Sequence, residues 1–136
     1  MEQVFERAIG DLVPSEQLIT CTAETSISDV IAKMRAQKSG SIVVVRERLV
    51  EGIFTERDVM NKIDLSVDQT TTPVSMHMVK NPICLFPTDP VRKAMVLMRV
   101  GRFRNLPIVN NDKELMFVLS LRDIVDYVAD SFSLKR

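Results

Sequence analysis

The run TAETSISDVIAKMRAQKSGSIVVV, Thr22 to Val45, decides the fold because it has a second copy: sixty-four residues on, Phe86 to Val109 reads FPTDPVRKAMVLMRVGRFRNLPIV. Most letters differ, yet the apolar positions coincide. Ile27, Val30, Ile31 and Met34 fall on Val91, Ala94, Met95 and Met98, and spacing by three and four predicts an amphipathic helix in each copy. Ile42 to Val45 falls on Leu106 to Val109, short and branched as buried strands are. A turn follows, RER in one copy and NNDKE in the other, where an extra residue moves the offset to sixty-five. Second strands are expected at Val50 to Phe54 and Leu115 to Leu119, then closing helices in which Val59, Met60 and Ile63 match Ile124, Val125 and Val128.

Each copy opens on a short apolar piece, LIT at Leu18 and ICLF at Ile83. One unit therefore reads β-α-β-β-α, an α/β fold in tandem. Its first two strands, joined through a helix, should be parallel, and its last two, joined by a tight turn, antiparallel. A unit of about fifty residues leaves a sheet face and helix stripes uncovered, which a second copy can cover. The expected division is residues 1–13 as an amphipathic N-terminal helix, 14–65 as the first repeat, 66–81 as a linker rich in Thr, and 82–136 as the second repeat. Met1, Val4, Phe5, Ala8, Ile9 and Leu12 carry the helical spacing, with Pro14 stopping it. That helix either packs on its own chain or contacts a second subunit. The apolar helix VRKAMVLMRV strengthens the expectation of a homodimer, with Met95 and Met98 in the contact.

Composition narrows the function. The 136 residues carry eighteen basic and eighteen acidic side chains, dispersed along the chain, so no long-range field collects nucleic acid or an anionic membrane. No apolar run approaches the roughly 20 residues that cross a bilayer, and the start MEQVFERAIG lacks a secretion signal's hydrophobic block; a cytoplasmic protein is expected. Cys21 and Cys84 lie outside any metal-ligand spacing and read as buried, reduced thiols. His77, the single histidine, reads as a linker residue. No metal cluster, Ser/His/Asp set, P-loop or GxGxxG turn supports an enzyme.

What remains is a repeated string, TERD at Thr55 to Asp58 and SLRD at Ser120 to Asp123, each where a strand ends and a helix begins. Two readings compete. A hydroxyl residue followed three positions on by an acid is a helix capping box, although that box prefers Glu or Gln to Asp. An ionised aspartate can equally receive both hydroxyls of a ribose, with the hydroxyl residue and the helix-start N–H groups facing a phosphate. The same atoms can cap and bind. Arg57, Arg122, Arg102 and Arg104 lie close to these positions and would serve as a phosphate clamp. Where the second copy has Arg104 and Asn105 the first has Gly40 and Ser41, so one side should hold an anion better.

The duplicated unit, with GIFTERDVMNKI closing the first copy and NPICLFPTDPVRKAM, GRFRNLPIV and LSLRDIVDYV in the second, resembles the CBS domain pair, or Bateman module, from about Leu12 to Asp130. The resemblance implies a pseudo-two-fold module with two clefts for an adenosine-containing regulatory ligand: AMP, ADP, ATP, NAD or S-adenosylmethionine. It implies that Asp58 and Asp123 take ribose, that Thr55 and Ser120 lie near ribose and phosphate, and that Arg57 and Arg122 neighbour them. Backbone of the opening strands around Ile19 and Ile83 would meet adenine, Gly40, Ser41, Arg104 and Asn105 line the phosphate side, and Thr20 and Asn81 are further candidate ligand contacts. The second copy departs from the pattern. Phe117 stands where the first has Gly52, and the bulky Arg122 precedes the aspartate, so one occupied site of two is expected. The alternative is a ligand-free dimerisation scaffold in which both motifs only cap.

Overall fold

A computed structural model describes residues 2–133. The chain forms two compact units, one built from Glu16–Pro82, the other from the residues up to Ser15 together with those from Ile83 on.

In the Glu16–Pro82 unit, four strands stand in the order β1 (Thr20–Cys21), β2 (Ser41–Arg46), β3 (Leu49–Thr55) and β4 (Val79–Lys80). As the connections require, β1 and β2 are parallel while β2 and β3 are antiparallel. Between β1 and β2 runs α2 (Ile27–Gln37), started by Ser26, whose Oγ accepts the Asp29 N–H at 3.2 Å. It closes on Lys38 in the left-handed region at φ 52°, a conformation that ends the helix and turns the chain into β2. Ile27, Val30 and Met34 of α2 pack against Ile42, Val44 and Phe54 of the sheet, with Ile19 and Val74 completing the core. The β2–β3 turn places both Glu47 (φ 50°) and Arg48 (φ 78°) at positive φ. A two-residue loop of that kind matches the twist of the strands it joins, and it usually carries Asn or Gly.

The connector 66–81 holds more structure than its turn-rich composition suggests. Val74–Met76 makes a 3₁₀ turn with Val74 fully buried, and β4 adds to the sheet edge, Gly52 opposite Lys80. The Met78 side chain lies over Gly52, where a Cβ would meet it. His77, which ends the 3₁₀ turn, offers its carbonyl to Lys62 Nζ at 3.0 Å.

The other unit repeats the plan with α4 (Val91–Gly101), β5 (Asn105–Val109), β6 (Leu115–Ser120) and α5 (Leu121–Ser133). α4 closes on Arg102 at φ 59°, the counterpart of Lys38. The opening strand is reduced to one parallel bridge, Leu85 to Ile108. Val91, Ala94 and Met98 of α4 pack on Leu106, Ile108 and Leu119, together with Ile9 and Leu12 from the start of the chain.

The N-terminal residues do not form the single helix that their spacing predicts. α1 spans only Glu2–Glu6, Ala8 is extended, and Ile9–Asp11 is a 3₁₀ turn. The cause is backbone pairing with the second repeat. Val91 N–H donates to the Arg7 carbonyl at 2.8 Å, Ile9 N–H to Asp89 at 2.9 Å and Gly10 N–H to Pro87 at 2.9 Å, bonds that an unbroken helix would forgo. Arg92–Glu6 and the Tyr127 hydroxyl on the Val4 carbonyl, both at 2.7 Å, fasten α1. The expected role of Met98 also needs correction: it lies in this unit's own core, and Met95 packs half-buried against that core. The apolar side chains that α4 exposes are Val96 and Val100.

Both cysteines are thiols. Burial pushes Cys21 up to about 11, partly offset by the nearby Lys33 charge, and burial also raises Cys84. At neutral pH Cys21 should hold roughly a hundredfold less thiolate than an ordinary thiol. Alkylation by iodoacetamide should therefore be slow at pH 7.5 and rise steadily toward pH 11. Rapid labelling of the folded chain at pH 7.5 would contradict this.

Candidate ligand-binding site

Each unit brings its hydroxyl-x-x-Asp string to the same place, the junction of the last strand and the closing helix. In the first unit Ser41 opens β2 directly opposite Thr55, which ends β3. The Glu56 N–H then donates to the Gly40 carbonyl at 3.1 Å, so Gly40, Ser41, Thr55 and Asp58 form one cluster at the start of α3 (Glu56–Lys62). The second unit copies this: Asn105 pairs with Ser120, and the Leu121 N–H donates to the Arg104 carbonyl at 2.8 Å.

Both aspartates are capping acids and both are buried, Asp58 at 7% exposure and Asp123 at 4%. Asp58 Oδ2 accepts the Thr55 N–H at 3.0 Å and lies 3.2 Å from Thr55 Oγ1, which in turn accepts the Asp58 N–H at 3.3 Å. Its other oxygen, Oδ1, pairs with Lys62 Nζ at 3.0 Å. In the second unit Asp123 Oδ2 accepts the Ser120 N–H at 2.8 Å, and the Asp123 N–H donates to Ser120 Oγ at 3.1 Å. Asp123 Oδ1 receives the Ser15 N–H at 2.7 Å. The capping geometry thus holds at both sites, with Asp in the role that Glu usually fills. A carboxylate offers about four lone-pair positions. Among the described residues Asp123 uses two of these, whereas Asp58 is more heavily engaged.

The remaining expected residues are spread more widely. Ile19 is a core residue whose carbonyl takes the Val43 N–H at 3.1 Å, and Thr20 follows it in β1 at one edge of the sheet. Asn81, at φ 48°, follows β4 at the opposite edge, its N–H on the Glu51 carbonyl at 3.0 Å. Thr20 and Asn81 therefore do not share a cluster. Ile83 is exposed in the second unit. Arg57 and Arg122 are both exposed at the second position of their helices, and Arg104 is exposed beside Asn105. Arg102 closes α4. Phe117 packs on its own unit's core.

Sequence reasoning missed Glu16 and Glu56. Glu16 Oε2 accepts the Gly40 N–H at 3.1 Å and lies 3.1 Å from Ser39 Oγ, a hydroxyl that also reaches the Ser41 carbonyl at 2.9 Å. A Cβ on residue 40 would come within 2.6 Å of Glu56 Oε1 and 3.7 Å of Glu16 Oε1. An open groove of about 540 Å³ adjoins this point, with Ile31, Met34 and Val59 in its lining. Only Glu56 had a visible signal, standing within TERD where the second copy has Leu121. Among the described residues no group of His, Cys, Asp and Glu could hold a metal ion, and no helix is long and apolar enough to cross a membrane.

Comparison with known proteins agrees with the duplicated architecture. The family model described as the CBS domain matches residues 9–65 and 74–130. The mitochondrial CBS domain-containing protein CBSX3 of Arabidopsis thaliana is 31% identical over 111 residues, 77% of this chain and 53% of that protein. Other Arabidopsis relatives are longer, and the chain spans 22–23% of them. The CBS domain protein PAE2072 from Pyrobaculum aerophilum, complexed with AMP, superposes with a TM-score of 0.78 at 24% identity, covering 86% of this chain and 89% of that one. The CBS domain pair of protein MJ0100, in complex with 5′-methylthioadenosine and S-adenosylmethionine, gives a TM-score of 0.76 at 19% identity, covering 88% and 98%. With a repeated β-α-β-β-α unit and both copies matched, the chain belongs to the CBS domain family as a tandem pair, a Bateman module.

Proposed function

We propose that the chain is a regulatory module that binds an adenosine nucleotide of the AMP, ADP, ATP or NAD class, with Asp123 as the principal acceptor for the ribose diol. The observation that carries this reading is the geometry at Asp123: a buried carboxylate held rigidly by two backbone N–H groups, with two lone-pair positions left among the described residues, at the junction that also carries Arg104. Charge-assisted bonds from a diol to such a carboxylate are among the stronger neutral-donor contacts, and Arg104 and Arg122 suit a phosphate. The AMP complex of PAE2072 and the adenosyl complexes of MJ0100 support the ligand class. Binding then alters the arrangement of the module or of its partners, which is the regulatory output.

A thermal-shift series with AMP, ADP, ATP, NAD and S-adenosylmethionine tests this. A ligand of micromolar affinity present at millimolar concentration should stabilise the fold by about 4 kcal/mol. A flat series would leave the second reading, a ligand-free dimerisation module. That reading draws on the capping role of both aspartates and on the apolar side chains exposed on α3, α4 and α5: Met60, Val100 and Val125. Light scattering with and without ligand would then show whether two copies associate.

A further inference from the structure

We infer that Glu16 and Glu56 make the first repeat's site select against a 5′-phosphate, restricting it to adenosyl compounds whose 5′ substituent is neutral or cationic. The inference rests on the binding reading above and gives the two repeats different ligand classes.

The positions before the inner strand are equivalent, Gly40 in one unit and Arg104 in the other, since each gives its carbonyl to the N–H that follows its unit's hydroxyl residue. What surrounds them differs: the groove beside Gly40 carries Arg35 and Lys38 as well as Glu16 and Glu56, but it is a carboxylate that holds the backbone donor. In the second unit the side chain at this point is the Arg104 guanidinium, and the residue after Ser120 is the uncharged Leu121. In the first, the position is glycine, and the Glu16 carboxylate already accepts its N–H at 3.1 Å. Ser39 Oγ, a second donor that could serve an anion, lies 3.1 Å from the same oxygen. Glu56 closes the other side, its Oε1 within 2.6 Å of where a Cβ on residue 40 would stand. The Gly40 N–H, a donor of the kind a phosphate uses, is thus already taken by a carboxylate, and the single Ser39 hydroxyl proton is shared between Glu16 and the Ser41 carbonyl at 2.9 Å. An incoming phosphate must displace Glu16 from the Gly40 N–H and remain beside Glu56, a like-charge cost that Arg35 and Lys38 of the same groove offset only in part. A thioether presents no such conflict, and a sulfonium is attracted by both acids.

The test isolates the first repeat by using the full chain with Asp123→Asn, which keeps an acceptor for the Ser120 N–H, gives up the one for the Ser15 N–H and weakens the second site. AMP and 5′-methylthioadenosine are titrated calorimetrically into this chain, with and without Glu16→Gln and Glu56→Gln. Both glutamates are exposed, so the amides should fold; Glu16→Gln alone serves if the pair does not. The expected result is a ratio of AMP to methylthioadenosine affinity that rises at least tenfold when the carboxylates become amides. An unchanged ratio, or AMP binding as tightly as methylthioadenosine before the change, overturns the selectivity and leaves the binding reading standing. Absence of binding by either compound in every variant, with cooperative melting intact, removes Asp58 as a ribose acceptor and the selectivity with it.

Discussion

Phe54→Ala is expected to destabilise the Glu16–Pro82 unit by about 4 kcal/mol, the range for emptying a large aromatic site in a close-packed core. Phe54 is fully buried, the largest such side chain, and sits in β3 opposite Ile42. It belongs to the cluster of Ile27, Val30 and Met34, so its loss leaves a void bounded by both sheet and α2. Domains of this size are stable by only about 5–15 kcal/mol. The change should therefore be visible as a large drop in the urea midpoint. Hydrogen exchange refines the prediction. Amides of β2 and β3 should lose protection, while those of β5 and β6, whose core is a separate cluster, should keep more of theirs. Uniform loss across both units would show that the two cores unfold as one. Phe54→Leu should cost much less, because most of the volume is kept.

Asp123→Ala is the second large effect, about 3 kcal/mol. Losing the cap at Ser120 costs about 1 kcal/mol, and the Ser15 N–H, left without its 2.7 Å acceptor, adds about 1–3 kcal/mol. Asp58→Ala removes a comparable cap but strands only Lys62, whose ammonium can reach water, so about 1–2 kcal/mol is expected there. Chemical denaturation of the two variants reads the difference directly. Nucleotide titration of the same proteins separates capping from binding: Asp123→Ala should abolish the AMP response far beyond what its stability loss explains. Equal, purely destabilising effects at both positions would reduce the two motifs to caps.

The repeat was legible because its signal is local and doubled. Helical spacing at Ile27, Val30 and Met34 was reinforced by Val91, Ala94 and Met98, and all six residues are buried. The strand–turn–strand order and its parallel and antiparallel pairings followed from connection length alone. The N-terminal segment failed for the opposite reason. Ile9 and Leu12 are buried as their spacing suggests, but the bonds of residues 7–10 run to residues 87–91, and local periodicity carries no information about so distant a partner. The same holds at the site. TERD and SLRD marked both caps, whereas the bond from Ser15 to Asp123 spans 108 residues and that from Glu16 to Gly40 spans 24. The connector's edge strand was hidden too, because β4 is two residues long and its neighbours are turn formers.

A unit assembled from two segments that flank the other unit in sequence constrains biosynthesis. Ile9 and Leu12 leave the ribosome before the residues that cover them, Leu85, Val91 and Met98, which are translated some seventy to ninety positions later. At about 5–20 residues per second that delay is roughly 4–18 s, and the Glu16–Pro82 unit is itself synthesised within it. Until then Ile9 and Leu12 have no core of their own to enter.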